Sequence, residues 1–191
     1  MVRWQPNARE RLERAALELF LTNGFQETTV PQITARAGLT TRTFFRHFVD
    51  KREVLFGAER ELPALVARLL AEAPATLEPM TLIEQGLQTV AKTRLEGQHD
   101  YLRARRTVVQ ADEGLREREL RKLSVLAEVI KMGLRHRGVN EVTAAVAAQV
   151  AVTVFDVAVN RWLDQDTEPL TQLLHDTLAA LQSLVGGSDR R

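Results

Sequence analysis

Cysteine is absent from this sequence of 191 residues. Its absence excludes disulfide bonds, zinc sites built from thiolates and a cysteine nucleophile, and it leaves the cytoplasm as the default location. Long apolar runs are also lacking. The most apolar stretch, residues 142–155, contains Gln149 and is shorter than the roughly 18 apolar residues that a membrane span needs. The N-terminal residues have no apolar core typical of a signal peptide, so we expect a cytoplasmic protein that is neither secreted nor membrane-inserted.

A large net charge of either sign is missing as well. The chain has 26 basic and 25 acidic residues, for a formal charge of +1. Attraction to nucleic acid or to a membrane surface must therefore come from a local basic surface. Aromatic residues make up only 5% of the chain, but 45% hydrophobic and 27% charged residues are typical of a globular protein. This composition excludes disordered and fibrous classes.

The alternating pattern of β-strands is not found. Apolar residues instead recur at spacings of three and four, as at Leu12, Ala15 and Leu19, which indicates helices. We predict an all-α protein of about nine helices, with a three-helix domain over residues 1–50 and a helical bundle over 51–191. A helix from about 51 to 73 links the two and contains Pro63, which we expect to kink it. Later helices are predicted at about 81–96, 100–110, 113–136, 141–163 and 169–185.

Catalytic motifs are lacking too. The sequence has no G-x-S-x-G, no glycine-rich phosphate loop and no H-E-x-x-H. Glu96 and His99 have the spacing of a Glu-x-x-His metal pair, but a metal site in a helical bundle needs a second pair, which is missing. We therefore expect neither an enzyme nor a bound metal or cofactor. A helical enzyme or a scaffold protein without DNA binding is the alternative.

Residues 30–48 have the length and the glycine turn of a helix-turn-helix, with Ala37-Gly38-Leu39 joining two short helices. Thr29 and Gln32 are spaced as a capping box at the start of the first of these helices. Charge is concentrated at the second helix, because the segment 36–52 contains five basic residues against the single acid Asp50. The sequence thus predicts a local basic surface at the place where a helix-turn-helix contacts DNA.

These residues resemble the TetR family of transcriptional regulators over about residues 8 to 56. The matching motifs are Thr28-Thr29-Val30, Ile33-Thr34-Ala35-Arg36-Ala37-Gly38-Leu39-Thr40, Thr43-Phe44-Phe45-Arg46-His47-Phe48, Asp50-Lys51 and Leu55-Phe56. The resemblance implies a repressor that binds a palindromic operator on double-stranded DNA as a homodimer and is released by a small-molecule effector. Phe45 stands where the family most often has a tyrosine that contacts a phosphate. The Thr-Phe-Phe-Arg version is similar to a subgroup that responds to acyl-CoA-like ligands.

The third helix carries most of the candidate contacts with DNA. We expect Arg42 and Thr43, in its first turn, to meet base edges, because arginine can bind guanine bidentately. Helix starts and basic side chains favour phosphate, and a neutral histidine can donate from either ring nitrogen. The phosphate candidates are Thr29, Lys51, Arg46 and His47; Thr40, Thr41 and Phe45 complete the predicted set. Phe44 and Phe48 are spaced four apart and are expected in the core.

The second half contains a helix from Val142 that is apolar nearly all round. Together with the last helix it is expected to form a four-helix dimer seam, as the resemblance also implies. Four polar residues of this helix, separated by steps of four, three and four, lie on one face: Gln149, Thr153, Asp156 and Asn160. They line a ligand pocket, pair across the dimer seam, or form a partly hydrated face. Further candidates to bind an anionic ligand are Arg103, Arg106 and Gln110.

Overall fold

The computed structural model describes residues 7–57, 61–165 and 168–186. In this part of the chain there are ten α-helices and no strand, which confirms the all-α prediction. The helices are α1 (Ala8–Asn23), α2 (Val30–Ala37), α3 (Thr41–His47), α4 (Glu53–Phe56), α5 (Leu62–Glu72), α6 (Pro79–Val90), α7 (His99–Ala111), α8 (Glu113–His136), α9 (Glu141–Asp164) and α10 (Leu170–Gly186). A π-helical turn, Ala91–Leu95, follows α6.

The linking helix predicted over residues 51–73 is wrong as a single element. The structure has a single turn, α4, and a separate helix α5 that begins at Leu62. Pro63 is therefore the second residue of α5 and does not bend the middle of a longer helix. A proline is tolerated there because the first-turn amides of a helix have no intrahelical carbonyl to bind. Residues 58–60 lie outside the described residues.

Side chains close to the predicted positions cap the helices. The Asn7 side chain accepts from the Arg9 amide before α1, and Asn140 accepts from the Thr143 amide before α9. The capping box before α2 is confirmed, because the Thr29 side chain accepts from the Gln32 amide while the Gln32 side chain accepts from the Thr29 amide. Local sequence thus decides where these helices begin.

Contacts divide the chain into two units. The N-terminal unit comprises residues 1–61 and 103–119, and the C-terminal unit comprises residues 62–102 and 120–191. The N-terminal unit therefore contains α1 to α4 together with the turn between α7 and α8. Its core includes side chains that are almost fully buried: Leu12, Ala16, Phe20, Ile33, Phe44 and Val54.

Helix α9 is a long apolar helix of the C-terminal unit. It is long and apolar enough to cross a membrane by length and composition, with a mean hydropathy of 1.9 over its most apolar window. This finding differs from the expectation that no segment would qualify. About a third of that window is buried, and the buried positions are mostly alanines, such as Ala144, Ala151 and Ala158, which pack in two apolar clusters. The small residues allow the neighbouring helices to approach α9 closely.

Candidate nucleic-acid interface

The turn between α2 and α3 is stabilised by hydrogen bonds within α2 and by hydrogen bonds from α1. Gly38 adopts a left-handed conformation with φ of 62°, and its amide donates to carbonyls of α2. Arg11 of α1 donates through Nη2 to the carbonyl oxygens of Ala37, at 2.5 Å, and Gly38, at 3.3 Å. A Cβ at position 38 would lie 3.1 Å from that nitrogen in addition to being strained by the positive φ. Glycine is needed at 38 for both reasons, and α1 fixes the angle between the two helices.

One face of α3 is fixed in the core by two phenylalanines. Phe44 is fully buried and Phe48 is 3% exposed, with ring centroids 5.4 Å apart. This confirms that both belong to the core. The opposite face is exposed to solvent and consists of two adjacent pairs one helical turn apart, Thr41 with Arg42 and Phe45 with Arg46. Four of the predicted DNA contacts therefore share one surface, which we call the α3 face.

Two threonines organise the first turn of α3. Thr40 is the N-cap, and its hydroxyl oxygen accepts from the Thr43 amide at 3.2 Å. The hydroxyl groups of Thr40 and Thr43 are also 3.0 Å apart. These bonds account for both side chains without DNA, so their predicted DNA contacts stay predictions. The same holds for Thr29, whose hydroxyl caps α2.

Lys51 is engaged within the protein. Its Nζ donates to the carbonyl oxygens of Phe25, Gln26 and Thr28 at 2.7, 3.1 and 3.0 Å, and it lies 4.4 Å from the centre of the Phe25 ring. Burial lowers the pKa of Lys51 and outweighs the carboxylate of Asp112, which raises it. Three acceptors match the three donors of an ammonium group. The predicted phosphate contact stays a prediction and requires Lys51 to exchange one of these carbonyls.

His47 and Arg36 also lie close to this surface. His47, at the C-terminal end of α3, is half-buried, and its Nε2 is buried without a hydrogen-bond partner among the described residues. A phosphate contact through that nitrogen would therefore require the ring to reorient. Arg36 forms an exposed salt bridge with Glu18 of α1 at 2.7 Å. The basic side chains of the α3 face, Arg42 and Arg46, thus carry the exposed positive charge of the helix.

Comparison with known proteins agrees with this geometry. Residues 13–58 match the family described as bacterial regulatory proteins, tetR family. The match lies within the segment that holds the helix-turn-helix. The HTH-type transcriptional regulator TcmR of Streptomyces glaucescens is 37% identical over 82 residues, which cover 43% of this chain and only 36% of TcmR. MftR of Mycobacterium tuberculosis, named as a mycofactocin biosynthesis transcriptional regulator, is 26% identical over 178 residues, covering 92% of this chain and 88% of MftR.

Similarity in structure extends over nearly the whole chain. FadR of Thermus thermophilus, a transcriptional repressor solved in complex with lauroyl-CoA, is 26% identical, covers 96% of each chain and has a TM-score of 0.53. These relatives are transcriptional regulators and not enzymes. The chain is accordingly similar to transcriptional regulators, and the similarity includes its N-terminal helix-turn-helix.

The short helix α4, which follows the helix-turn-helix, is held by a cluster of residues that sequence reasoning missed. The ring of Phe56 of α4 contacts two guanidinium groups, with Arg105 at 4.8 Å and Arg118 at 5.0 Å from the ring centre. Arg105 is only 6% exposed; its Nε donates to the Leu55 carbonyl at 2.7 Å and its Nη2 to Glu119 at 2.8 Å. We call these residues, with Glu53, the α4 clamp.

The second half of the α4 clamp is an ion pair between α4 and α8. Arg118 donates to the carboxylate of Glu53, which is 5% exposed. Asp50 caps α4 by accepting from the amides of Arg52 and Glu53 at 2.8 and 2.9 Å. The helical spacing of the sequence could have identified the buried arginine, because Arg105 precedes the buried residues Val108 and Val109 by three and four positions and so lies on the same face of α7. The two arginines of α7 that were predicted to bind a ligand, Arg103 and Arg106, are its neighbours.

The turn between α7 and α8 also contacts the loop between α1 and α2. Gln26 donates through Nε2 to Oδ2 of Asp112, and the other carboxylate oxygen accepts from the Leu115 amide at 3.0 Å, capping α8. Burial raises the pKa of Asp112, but these bonds and one from the Gly114 amide outweigh it and lower the pKa overall. Asp112 is therefore a carboxylate at neutral pH, and it ties the α7–α8 turn to the α1–α2 loop within the N-terminal unit.

The predicted ligand residues are divided between the two units. Arg103, Arg106 and Gln110 belong to the N-terminal unit, while the polar stripe of α9 belongs to the C-terminal unit. Of the latter, Gln149 and Thr153 line an open groove on α9 and α10. Asn160 donates to the carboxylate of Asp156 at 3.1 Å and to its carbonyl oxygen at 2.9 Å. A role for any of these residues in ligand binding stays a prediction.

Proposed function

We propose that this regulator is a ligand-responsive repressor that binds a palindromic operator as a homodimer through the α3 face. The observation that carries the proposal is the α3 face itself. Arg42 and Arg46 stand exposed beside Thr41 and Phe45, while Phe44 fixes the helix from behind. A recognition helix in the major groove presents such a face, with its first-turn residues at the base edges. Phe45, 58% exposed, then lies against sugar or a thymine methyl group.

Replacement of Arg42 tests the base-reading role. We expect Arg42→Ala to relax preference at one base position of each half-site and to cost about 1–3 kcal/mol of discrimination there, because the bidentate contact with guanine is lost. The measurement is operator selection from random duplex DNA with the wild-type protein, followed by titration of single-base variants. Lys51→Ala, by contrast, should weaken binding to all DNA sequences alike. It should also lower by about one the slope of the logarithm of the binding constant against the logarithm of the salt concentration.

The control for Arg42→Ala removes the same charge elsewhere. Arg68 is exposed on α5 in the C-terminal unit, so Arg68→Ala should leave both affinity and base preference unchanged. Equal losses from Arg42→Ala and Arg68→Ala would contradict the role of the α3 face. If the wild-type protein retards none of the selected duplexes, the proposal that it is a repressor is wrong, and a helical scaffold protein is favoured.

A homodimer is supported by an apolar surface on the C-terminal unit. The groove formed by α9 and α10 is lined by Ala145, Val146, Gln149, Val150, Thr153, Val154 and Leu181; we call it the α9–α10 groove. Apolar side chains on these helices are strongly exposed, with Val142 at 72%, Val146 at 58% and Leu184 at 78%. Contiguous exposed apolar surface marks a site of association, and a two-fold dimer would bury the same groove on both copies.

Charge placed in the α9–α10 groove should separate the two copies. We expect Val146→Glu to raise the dimer dissociation constant at least about tenfold, because it buries an unpaired carboxylate, and to abolish simultaneous binding to two half-sites. Sedimentation velocity measures the first effect and DNA retardation the second. Leu120→Glu is the matched control, since Leu120 is 64% exposed on α8 and is not a lining residue of this groove. A dimer unchanged by Val146→Glu would exclude this seam.

The effector is proposed to be a small molecule that is hydrophobic or acyl-CoA-like. For an acyl-CoA-like ligand, Arg103, Arg106 and Gln110 are the candidate partners of the anionic group.

Release from DNA would follow from a shift of α4, which the α4 clamp joins to α7 and α8 within the N-terminal unit. Because half-sites are spaced about one helical turn, roughly 34 Å, a small change in the separation of two recognition helices prevents simultaneous binding. A coupling free energy of ~1–3 kcal/mol is the usual scale of such regulation. The cytoplasm is the proposed site of action.

A further inference from the structure

The polar stripe of α9 divides into two pairs with different surroundings. Asp156 and Asn160 bond to each other, since the Asn160 amide donates to the Asp156 carboxylate at 3.1 Å, and neither residue lines the α9–α10 groove. Gln149 and Thr153 do line the groove, and neither side chain bonds to another residue that the structure describes. This division follows from the packing of α10 on α9 and not from the spacing of the four residues.

The Thr153 hydroxyl differs from two other threonine hydroxyls of the C-terminal unit. Thr177, on α10, donates to the Leu173 carbonyl four positions earlier at 2.6 Å, and Thr89, on α6, donates to the Gln85 carbonyl at 2.8 Å. Such a bond satisfies the donor of a threonine within its own helix. The Thr153 hydroxyl makes no such bond, so it can pair with a polar group that approaches the groove from outside.

The charge of the α9–α10 groove suits a second copy of the same surface. A two-fold axis brings each groove against an identical one, so a charged lining would meet charge of its own sign. Among the lining residues that the structure describes, none is ionisable. Exposed apolar side chains continue outside the lining on both helices, at Val142 and Leu184. A second copy would therefore cover Gln149 and Thr153 together with the apolar wall around them.

We propose that the Gln149 amide of one copy donates to the Thr153 hydroxyl of the other, and that this reciprocal pair fixes the register of the dimer, meaning the alignment of its two copies along α9. The inference rests on the proposed homodimer and names the residues that align it. In a two-fold contact both copies form the same bond, and burying an amide or a hydroxyl without a partner is unfavourable. The apolar side chains of the groove set no such condition. One polar position in an apolar helical seam is enough to specify register.

Gln149→Leu tests this register, because leucine is close to glutamine in size and has no polar atom. The wild-type chain has no cysteine, so Ala67→Cys at an exposed position of α5 attaches one spin label to each subunit, and pulsed electron paramagnetic resonance measures the distance between the two labels. We expect one narrow distance distribution in the otherwise wild-type dimer and a distribution at least about twice as wide with Gln149→Leu. The dimer Kd from sedimentation velocity should stay within about tenfold of the wild-type value, because apolar packing offsets the lost bonds.

Gln172→Leu is the matched control. Gln172 is exposed on α10 and outside the groove lining, and its amide donates to the Asp176 carboxylate at 2.9 Å. Its replacement should leave both the distance distribution and the dimer Kd unchanged. Thr153→Val, which keeps the shape of the side chain and removes the hydroxyl, should widen the distribution as Gln149→Leu does.

The inference is wrong if the Gln149→Leu dimer keeps a distribution as narrow as that of the wild type, or if Gln172→Leu widens it equally. Val146→Glu and retardation of the selected operator separate these outcomes from the proposed function. A dimer that dissociates with Val146→Glu but keeps one register with Gln149→Leu refutes the polar pair and leaves the homodimer standing. A wild-type protein without any distance between labels refutes both and leaves the groove to another occupant. A register that depends on Gln149, in a dimer that retards no operator, supports the pair and refutes the repressor.

Discussion

Phe44→Ala is expected to destabilise the N-terminal unit by about 3–5 kcal/mol and to abolish operator binding. Phe44 is fully buried and packs against the rings of Phe45 and Phe48, each centred 5.4 Å away. Its removal leaves a cavity behind the recognition helix, and loss of a buried phenylalanine costs this much because the surroundings relax only in part. Urea unfolding measures the loss of stability, and retardation of the selected operator measures the loss of function.

Phe45→Ala is the control, since it removes the neighbouring ring from the exposed side of α3. With 58% of its surface exposed, Phe45 should contribute less than about 0.5 kcal/mol to stability, and its loss should act on DNA binding alone. The two substitutions therefore distinguish the contribution of the buried side of α3 to stability from the contribution of its exposed side to DNA binding. Similar destabilisation by both substitutions would contradict the packing of this helix.

Arg105→Ala is expected to destabilise the N-terminal unit by about 3 kcal/mol, because it removes a buried charge-assisted bond and leaves groups unpaired. The interactions lost include the bond to the Leu55 carbonyl, the salt bridge to Glu119 and the stacking on Phe56. Arg105→Lys should recover only part of the loss, since an ammonium lacks the planar fork that reaches two acceptors while stacking on a ring. Urea unfolding and amide hydrogen exchange in α4 provide the measurements.

Arg103→Ala is the matched control, because Arg103 is exposed two positions earlier on the same helix. We expect its effect on stability to stay within about 0.5 kcal/mol and α4 exchange to be unchanged. If the two arginine variants behave alike, the α4 clamp does not hold α4. If only Arg105→Ala accelerates amide hydrogen exchange in α4 while α3 stays protected, the α4 clamp acts locally. This is the result expected for a connection between α4 and the α7–α8 turn.

Short-range physics made much of this protein predictable. The capping box at Thr29, the glycine turn at Gly38 and the pairing of Phe44 with Phe48 all depend on residues within a few positions of one another. For the same reason α8 was predicted with its observed ends, Glu113 and His136. The exposed α3 face follows directly, because the residues that are not needed by the core are left on the other side of a short helix.

The sequence by itself therefore determined the all-α class, the helix-turn-helix and most helix boundaries. Only the tertiary structure decided which arginine of α7 is buried, where Lys51 directs its ammonium, and which polar residues of α9 line the α9–α10 groove. These features depend on partners more than twenty positions away in the chain, such as Leu55 for Arg105 and Phe25 for Lys51. A periodic pattern gives the phase of a helix, but the packing between helices decides what each face meets.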